Sequence, residues 1–333
     1  MVNVVKMKFE FTANQDFNFL KSFAERFDLS VCGNKLIIPD SMGEGSIKRI
    51  DFAPDFKLLI HNYTFKEEFI LKRNAPEKMD DMVLIIFYST ALPNNIISNG
   101  NYHFTCTKIN NSAIEISSND LSSEIRFPAN SSIFFTVVGI KASTLHTLIN
   151  PCQKNNVMES IVKCNTSFLF HENMWADAEK ILKNLPLINE LDPLHELYFR
   201  IKVQELIYLV FSKLLKRKDH TQKAINNSDV EKMFAVRTKI LSDLSMPPKL
   251  AELAKMISMS ETKMKMLFKQ IFGDTIYNYY QQARMEEAAF LLKQTGYSVS
   301  EVGYRLGFSN LSHFSRLFQK HYEINPKRYT SVG

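Results

Sequence analysis

The stretch Gly307–Tyr329 reads GFSNLSHFSRLFQKHYEINPKRY and combines a helical pattern with a polar surface. Its apolar residues recur at the three- and four-residue spacing of one helical face, at Leu311, Phe314, Leu317 and Phe318. Asn310 or Ser309 can cap the start of this helix, because a short polar side chain accepts a hydrogen bond from a free backbone N–H. Pro326 is expected to end the helical possibility. The pattern therefore predicts a helix over residues 311–322.

The remaining face of this helix is polar and contains no acidic residue. It carries Ser312, His313, Ser315, Arg316 and Gln319. Solvated helix faces normally mix Glu with Lys, so two interpretations stay open from this helix alone. The face is either an ordinary solvated surface or a surface that contacts a partner.

The segment directly before this helix predicts a second, shorter helix. Ser298 and Glu301 have the spacing of a capping box, in which each side chain bonds the backbone of the other residue. Gly307 suits the left-handed conformation that ends many helices, and Gly303 lets the next helix approach closely. A short helix, a tight turn and a longer helix make a helix-turn-helix, whose second helix lies in the DNA major groove.

A similar pattern occurs about fifty residues earlier, between Leu250 and Gly273, which indicates an internal repeat. Between the two copies, Ile276–Lys293 reads as one continuous helix, about 27 Å long at 1.5 Å per residue. Successive major-groove faces on one side of DNA lie about 34 Å apart. A rigid helix of this length can therefore seat both second helices in adjacent grooves.

Residues from about Ser228 to Tyr329 resemble the DNA-binding domain of the AraC/XylS family of bacterial transcription regulators. The matching positions are Leu250–Ala254, Ser260, Leu267–Lys269, Gly273, Arg284–Met285, Ala288, Leu291–Leu292, Gly307–Phe308, Phe314–Phe318 and Pro326. The sequence departs from the family at Gly303, Glu323 and Thr330, where alanine, glycine and arginine are usual. The resemblance implies a seven-helix domain that binds one face of double-stranded promoter DNA, with RNA polymerase as a further partner.

Nine residues of the two longer helices are candidates for contacting DNA: Thr262, Lys263, Lys265, Met266, Lys269, Asn310, Ser312, His313 and Arg316. Arg316 is the strongest candidate for a base contact, because its planar fork matches guanine O6 and N7. The lysines suit phosphates or guanine acceptors, whereas Thr262 and Met266 can touch a thymine methyl group. The candidates near the start of the second helix suit a phosphate, because exposed backbone amides favour one there. For each residue the alternative is an exposed side chain with no contact.

Charge supports a nucleic-acid partner for the C-terminal third. The whole chain carries 41 Lys and Arg against 35 Asp and Glu. Residues 228–333 hold 15 of these cations and 10 of the anions, so they account for nearly all of the net charge of +6. A basic domain joined to a nearly neutral remainder fits phosphate attraction in that one domain.

Composition predicts a cytoplasmic protein with more than one domain. The 333 residues are 45% hydrophobic, which is enough for real cores. No run approaches 18 uninterrupted apolar residues, and the first residues lack the apolar region of a signal peptide. The four cysteines are widely spaced without a C-x-x-C motif, at Cys32, Cys106, Cys152 and Cys164. We expect buried free thiols in a reducing compartment.

From Lys35 to about Asn150 the sequence predicts β-structure. Eight short runs are rich in β-branched and aromatic residues: KLIIP, GSIKRIDF, FKLLIHNYTF, MVLIIFYS, HFTCTKI, AIEIS, EIRF and SIFFTVVGI. Strands at this spacing favour a barrel or a double-sheet roll. In the AraC/XylS family this position is usually taken by a cupin-like effector-binding barrel. The resemblance therefore implies a small-molecule effector, of a kind that the sequence does not identify.

An enzyme is the less favoured class. His61 is followed by Asn62 and Tyr63 rather than by the second histidine of a cupin metal site, and His103 stands alone. The sequence has no nucleophile elbow, no P-loop and no dinucleotide-binding glycine pattern. We expect no catalytic residues, no metal and no cofactor, and stoichiometric zinc or iron in the purified protein would contradict this.

Two helices are predicted after the β-region, with apolar stripes over Trp175–Leu185 and about Leu194–Lys216. The second stripe is broad, so it either packs on the protein's own core or leaves surface for a partner. The resemblance implies a homodimer through these helices. Residues 219–227, DHTQKAINN, are polar and unpatterned, which is typical of a flexible linker. A helix capped by Ser228 or Asp229 is expected to follow.

The sequence thus predicts an α+β protein of three parts. Residues 1–170 form a β-rich, cupin-like effector-sensing domain, residues 171–227 a helical dimerisation segment and linker, and residues 228–333 a double helix-turn-helix DNA-binding domain. The predicted function is a sequence-specific transcription regulator controlled by a sensed signal. The alternative is a constitutive or architectural DNA-binding protein whose N-terminal domain holds protein partners. A retained pocket favours the first, and an interior filled by its own Phe and Tyr side chains favours the second.

Overall fold

A computed structural model describes residues 7–14, 17–78, 80–89, 112–150, 155–163, 166–217, 223–294 and 296–331. The described residues divide into two compact units, one up to Glu231 and one from Lys232 onward. The predicted strand HFTCTKI lies outside the described residues, as do His103 and three of the cysteines, Cys106, Cys152 and Cys164. No helix in the described ranges is long and apolar enough to cross a membrane.

The first unit is rich in β-strands. These are β1 Met7–Thr12, β2 Val31–Cys32, β3 Lys35–Ile37, β4 Gly43–Ala53, β5 Phe56–Phe65, β6 Phe69–Asn74, β7 Met82–Tyr88, β8 Ala113–Ser118, β9 Ser123–Phe127, β10 Ser132–Lys141 and β11 Leu169–Asn173. Eight strands form an antiparallel sheet in the order β11-β8-β7-β10-β5-β4-β3-β2, and three form a second sheet in the order β1-β6-β9. Over the described residues the large sheet ends at β11 and β2, so it is not closed on itself.

The seven predicted strand runs that fall within the described residues are confirmed, whereas β1, β2, β6 and β11 were not predicted. The strand β6 reads FILKRN and β11 reads LFHEN, and charged residues at their ends hide the apolar alternation. Both strands are nevertheless largely buried, since each is covered by neighbouring elements. The close approach of β4 to β5 requires glycine at Gly45, which has φ of 101° and whose Cβ would lie 2.3 Å from the Asn62 carbonyl oxygen.

Helices cover the sheets of the first unit. They are α1 Phe19–Phe27, α2 Ala142–Ile149, α3 Asn156–Lys163, α4 Ala176–Asn184 and α5 His195–Leu214, with a short 3-10 turn at Leu185–Leu187. The last two confirm the helices predicted after the β-region. One side of α5 joins the sheet in a single apolar cluster through Phe199, Val203, Leu206, Val210 and Leu214. The helix α1 was not predicted, and its Phe19 and Phe23 pack edge-on against Phe9 of β1.

Two expectations for the first unit are wrong. Cys32 is exposed rather than buried, because it lies in the short edge strand β2. The described end of the predicted linker, residues 223–227, is held in place rather than flexible. Ile225 is buried and its N–H donates to the Ser167 carbonyl oxygen at 3.3 Å. The buried Ile225 is one of the residues that anchor this segment.

Seven helices follow in the described C-terminal part: α6 Asn227–Ser242, α7 Leu250–Met256, α8 Glu261–Phe272, α9 Ile276–Lys293, α10 Val299–Arg305, α11 Leu311–Tyr322 and α12 Pro326–Ser331. The bounds predicted for α9 and α11 are confirmed. The cap of α6 is Asn226 rather than Ser228 or Asp229, because the Asn226 side chain accepts the N–H of Asp229 at 2.8 Å. Pro326 begins α12 instead of ending a helix, and α11 ends at a left-handed Glu323.

Candidate nucleic-acid interface

The first helix pair consists of α7 and α8. Ser260 caps α8, since its hydroxyl accepts the N–H of Lys263 at 3.4 Å. Gly273 ends the helix in a left-handed conformation with φ of 80°. The inward side of α8 is fully buried through Met264, Leu267, Phe268 and Ile271. This burial fixes the opposite side of α8 toward solvent.

The second helix pair consists of α10 and α11. The predicted capping box is confirmed: the Ser298 N–H donates to the Glu301 carboxylate at 2.7 Å, and the Glu301 N–H donates to the Ser298 hydroxyl at 3.2 Å. Asn310 caps α11 by accepting the N–H of His313 at 3.1 Å. A Cβ on Gly303 would lie 2.6 Å from the Leu311 side chain. The close approach expected at this glycine is therefore present.

Arg284 of α9 fixes the turn between α10 and α11. Its guanidinium donates two hydrogen bonds to the Leu306 carbonyl oxygen, at 3.1 and 2.5 Å, at the end of α10. It also stacks on the Phe308 ring, with its central carbon 3.6 Å from the ring centroid. Burial lowers the pKa of Arg284, because desolvation disfavours its charged form. The two hydrogen bonds to Leu306 and the contact with the Phe308 ring offset part of this desolvation. In the sequence, Arg284 stands out only as part of the family pattern, and its neighbours there do not indicate this role.

The loop after α6 closes against the same turn. A Cβ on Gly307 would lie 1.8 Å from the Ser245 carbonyl oxygen, and Gly307 has φ of 76°. Nearby, the Tyr280 hydroxyl donates to the Leu244 carbonyl oxygen at 3.1 Å. The central helix α9 therefore holds both the turn of the second pair and the loop that leads into the first pair.

The predicted DNA-contacting residues of α8 lie mainly on its outer side. Thr262, Lys263 and Lys265 are exposed, whereas Met266 and Lys269 are half-buried. Lys265 forms an ion pair with Glu261 at 3.4 Å, so its ammonium group is partly neutralised in the absence of a partner. The outer side of α8 therefore offers cations and a thioether beside a single carboxylate.

The four predicted residues of the second pair, Asn310, Ser312, His313 and Arg316, are all exposed. The Asn310 side-chain oxygen is engaged in the helix cap, which accounts for that residue without a ligand. Arg316 donates from Nε to the Ser312 carbonyl oxygen at 3.4 Å, and α11 contains no carboxylate. The exposed side of α11 is thus a cationic and hydrogen-bonding surface, which suits an anionic groove.

A separate cavity lies in the first unit, between residues of the two sheets. Its volume is about 140 Å³. Most of its lining is apolar or aromatic, including Phe11, Phe19, Leu59, Ile125 and Phe135, and Arg73 and Lys57 contribute the cationic side chains. His61 lines it as a neutral imidazole, because complete burial lowers its pKa to about 3. The ring is stacked on Phe135 with centroids 4.0 Å apart.

In the described ranges, no group of three or more His, Cys, Asp or Glu side chains is placed to hold a metal ion. His61 contacts the Tyr63 hydroxyl at 3.4 Å and aromatic rings. Its surroundings are those of a packed core histidine.

The arrangement of the C-terminal helices is typical of a helix-turn-helix DNA-binding domain, and the similarity of the sequence to known proteins indicates the same class. A family model described as a helix-turn-helix domain matches residues 253–331. The transcriptional activator RhaR of Mannheimia succiniciproducens is 30% identical over 131 residues, which are 39% of this chain and 46% of RhaR. CsvR of Escherichia coli is 29% identical over 175 residues, 52% of this chain and 62% of CsvR. AggR of Escherichia coli is 36% identical over 94 residues, 28% of this chain and 35% of AggR.

These relatives are named as transcriptional activators and not as enzymes. The chain matches between 35% and 62% of their length. Residues 253–331 of this chain thus match a helix-turn-helix domain family, which supports the resemblance to the AraC/XylS family carried by its motifs.

Proposed function

We propose that this protein is a sequence-specific transcription regulator that binds promoter DNA through two helix-turn-helix units and answers a signal sensed in its N-terminal unit. The observation that carries the proposal is the acid-free, exposed side of α11, held by a buried arginine on α9. The regulator would work in the cytoplasm, where bacterial promoters lie, and would act on RNA polymerase. In this proposal α8 and α11 enter successive major grooves on one side of the DNA.

Each candidate residue then has a stated role. Arg316 contacts a guanine through its two-pronged guanidinium, with Ser312 and His313 beside it on base edges or phosphate. On α8, Lys263, Lys265 and Lys269 contact phosphates, while Thr262 and Met266 reach a thymine methyl group. Asn310 contributes through its cap, which sets the position of the first amides of α11.

A panel of DNA sites tests the role of Arg316. Bound sequences are first selected from a random pool with the full chain, and each base pair of the site is then changed singly. Arg316→Ala should cost about 1–3 kcal/mol on the selected site and relax preference mainly at one base pair. Arg316→Lys keeps the charge but loses the fork, so it should also lose the discrimination. An equal loss on every site would assign Arg316 to phosphate instead.

Two further variants distinguish a loss of DNA contact from a loss of folding. Lys269→Ala should weaken binding by a similar factor on all sites, because a phosphate contact carries no sequence information. Phe314→Ala should instead unfold the second helix pair, since Phe314 is fully buried and its loss costs about 3–5 kcal/mol. Circular dichroism of each variant shows which effect applies.

The N-terminal unit is proposed to be the counterpart of a cupin-like sensing domain. Its retained cavity favours a small-molecule effector over the architectural alternative, in which aromatic side chains would fill the interior. The lining favours a compact ligand with a largely apolar body, because apolar cavities of about this size hold molecules such as benzene. The full chain should lose or gain DNA affinity in the presence of cell metabolites, and no change with any metabolite fraction would favour the alternative.

A homodimer through α5 is part of the proposal. One side of this helix exposes apolar residues at heptad-like spacing: Leu194, Leu197, Tyr198, Ile201 and Tyr208. A twofold pairing covers the same stripe on both copies, and twofold dimers are the commonest assemblies. Ile201→Glu should therefore give a monomer in sedimentation velocity, whereas Lys216→Glu, beyond the end of the helix, should not. A monomeric wild-type chain at micromolar concentration would contradict the dimer.

A further inference from the structure

The segment that leads into α6 is fastened to the N-terminal unit at two points. The Asn227 side-chain oxygen accepts the N–H of Ser122 at 2.9 Å. Ile225, 3% exposed, donates its N–H to the carbonyl oxygen of Ser167, whose hydroxyl in turn bonds the Asp120 carboxylate. Both attachments lead to the connection between β8 and β9, residues 119–122.

The neighbouring residues Asn226 and Asn227 form hydrogen bonds with different parts of the chain. Asn226 serves the helix itself, since its side chain accepts the N–H of Asp229 at 2.8 Å and its carbonyl oxygen accepts the N–H of Val230 at 3.0 Å. Asn227, the first residue of α6, bonds the backbone of Ser122. The first turn of α6 is therefore built against the β8–β9 connection.

The same connection runs directly into the cavity wall. Two cross-strand pairs of β9 and β6 line the cavity: Ser123 with Arg73, and Ile125 with Leu71. Ser122 immediately precedes the first of these residues, and its hydroxyl accepts the N–H of Ala75, just after β6, at 2.9 Å. Ser122 thus joins the ends of both strands.

A second link ties the connection to the cavity from the other side. Asn119 is 1% exposed, and its side-chain amide donates to the Ala13 carbonyl oxygen and to the Asp80 carboxylate, each at 2.9 Å. Ala13 also lines the cavity. The β8–β9 connection therefore joins the cavity wall at both of its ends, contacts α6 through Ser122, and is linked through Asp120 and Ser167 to Ile225, just before α6.

We propose that the hydrogen bond between Ser122 and Asn227 transmits the state of the cavity to α6. This inference rests on the proposed sensing function of the N-terminal unit. A ligand that displaces the side chains of Ser123 and Ile125 moves the start of β9, and the Ser122 N–H moves with it because only one peptide unit separates them. The hydrogen bond from the Ser122 N–H to the Asn227 side chain then lengthens or shortens, and the position of the first turn of α6 changes with it. This helix continues into the unit that carries the DNA-binding domain.

Hydrogen exchange on the full chain tests the relay without a ligand. Ile125→Ala changes the cavity wall, while Ile116→Ala removes the same atoms from the core of the large sheet and serves as the matched control. Amide exchange at Ser122 and Val230 should become several-fold faster in Ile125→Ala than in Ile116→Ala. Ile125→Val, the milder change, should give the same response at smaller amplitude.

The response must depend on Asn227. In an Asn227→Ala background, Ile125→Ala should produce no additional change at Val230, whereas Asn227→Asp keeps an acceptor oxygen and should preserve the response. An equal response with and without Asn227, or none in either, would overturn the relay. DNA binding of the same full-length variants is measured separately. Absent DNA binding with an intact exchange response overturns the proposed function alone.

Discussion

Glu323 ends α11 in a left-handed backbone conformation, with φ of 59°, and its N–H donates to the Gln319 carbonyl oxygen at 2.8 Å. That conformation costs an L side chain about 1–2 kcal/mol, and glycine adopts it freely. We expect Glu323→Gly to raise the free energy of unfolding of the C-terminal unit by about 1 kcal/mol, with DNA affinity unchanged. Thermal unfolding measures this, and Glu323→Ala should show no gain. A lower midpoint for the glycine variant would indicate a stabilising contact of the glutamate.

Residues with a local backbone role were predictable, and residues with a distant partner were not. The Ser298–Glu301 box and the Asn310 cap follow from spacing alone, because each side chain reaches only its own helix end. Arg284 was missed as a positioning residue, since nothing nearby in sequence shows that it will reach the Leu306 carbonyl oxygen. Ile225 was missed for the same reason.

At the scale of elements, the helices α9 and α11 were predicted to the residue, whereas the short strand β6 was not predicted. The bounds of α9 and α11 follow from apolar periodicity that continues over several turns. Strand β6 has six residues and two cations, so its alternation is too short to recognise. It is fixed by pairing with β1 in parallel and with β9 antiparallel, and both contacts are distant in sequence.

The turn between α10 and α11 gives a matched pair of glycine substitutions. In Gly303→Ala the new Cβ would lie 2.6 Å from the flexible end of the Leu311 side chain and 3.3 Å from the Phe314 ring. Because a gain in helix propensity of about 1 kcal/mol offsets this crowding, we expect a small net change in stability. Gly307→Ala places a Cβ against the Ser245 carbonyl oxygen in a left-handed backbone, which should cost about 3 kcal/mol or more. Chemical unfolding of both variants, with DNA binding at low temperature, checks this. Equal losses would mean that the turn adjusts freely.

At the scale of the whole molecule, the change from period-two to helical patterning separated a β-rich part from a helical part correctly. The start of the helical part was harder to place, because α6 is capped by Asn226 and its Val230 is buried. Those features depend on residues 223–227, which belong to a run that the sequence predicts to be a polar linker. The excess positive charge after residue 228 lies in the part of the chain that we propose to contact DNA.

A C-terminal fragment tests whether that part is sufficient. Residues 226–333 retain the Asn226 cap, so we expect this fragment to fold alone and to bind DNA, with affinity that falls steeply as salt rises because counterions are released. Residues 232–333 lack the cap and the first turn of α6, and should be less stable by at least about 1 kcal/mol while binding the same sites once folded. Circular dichroism and DNA titrations at several salt concentrations make the comparison. A helical 226–333 fragment without DNA affinity at low salt would refute the assignment of α8 and α11 to the major groove, because folding and charge would then both be present without binding.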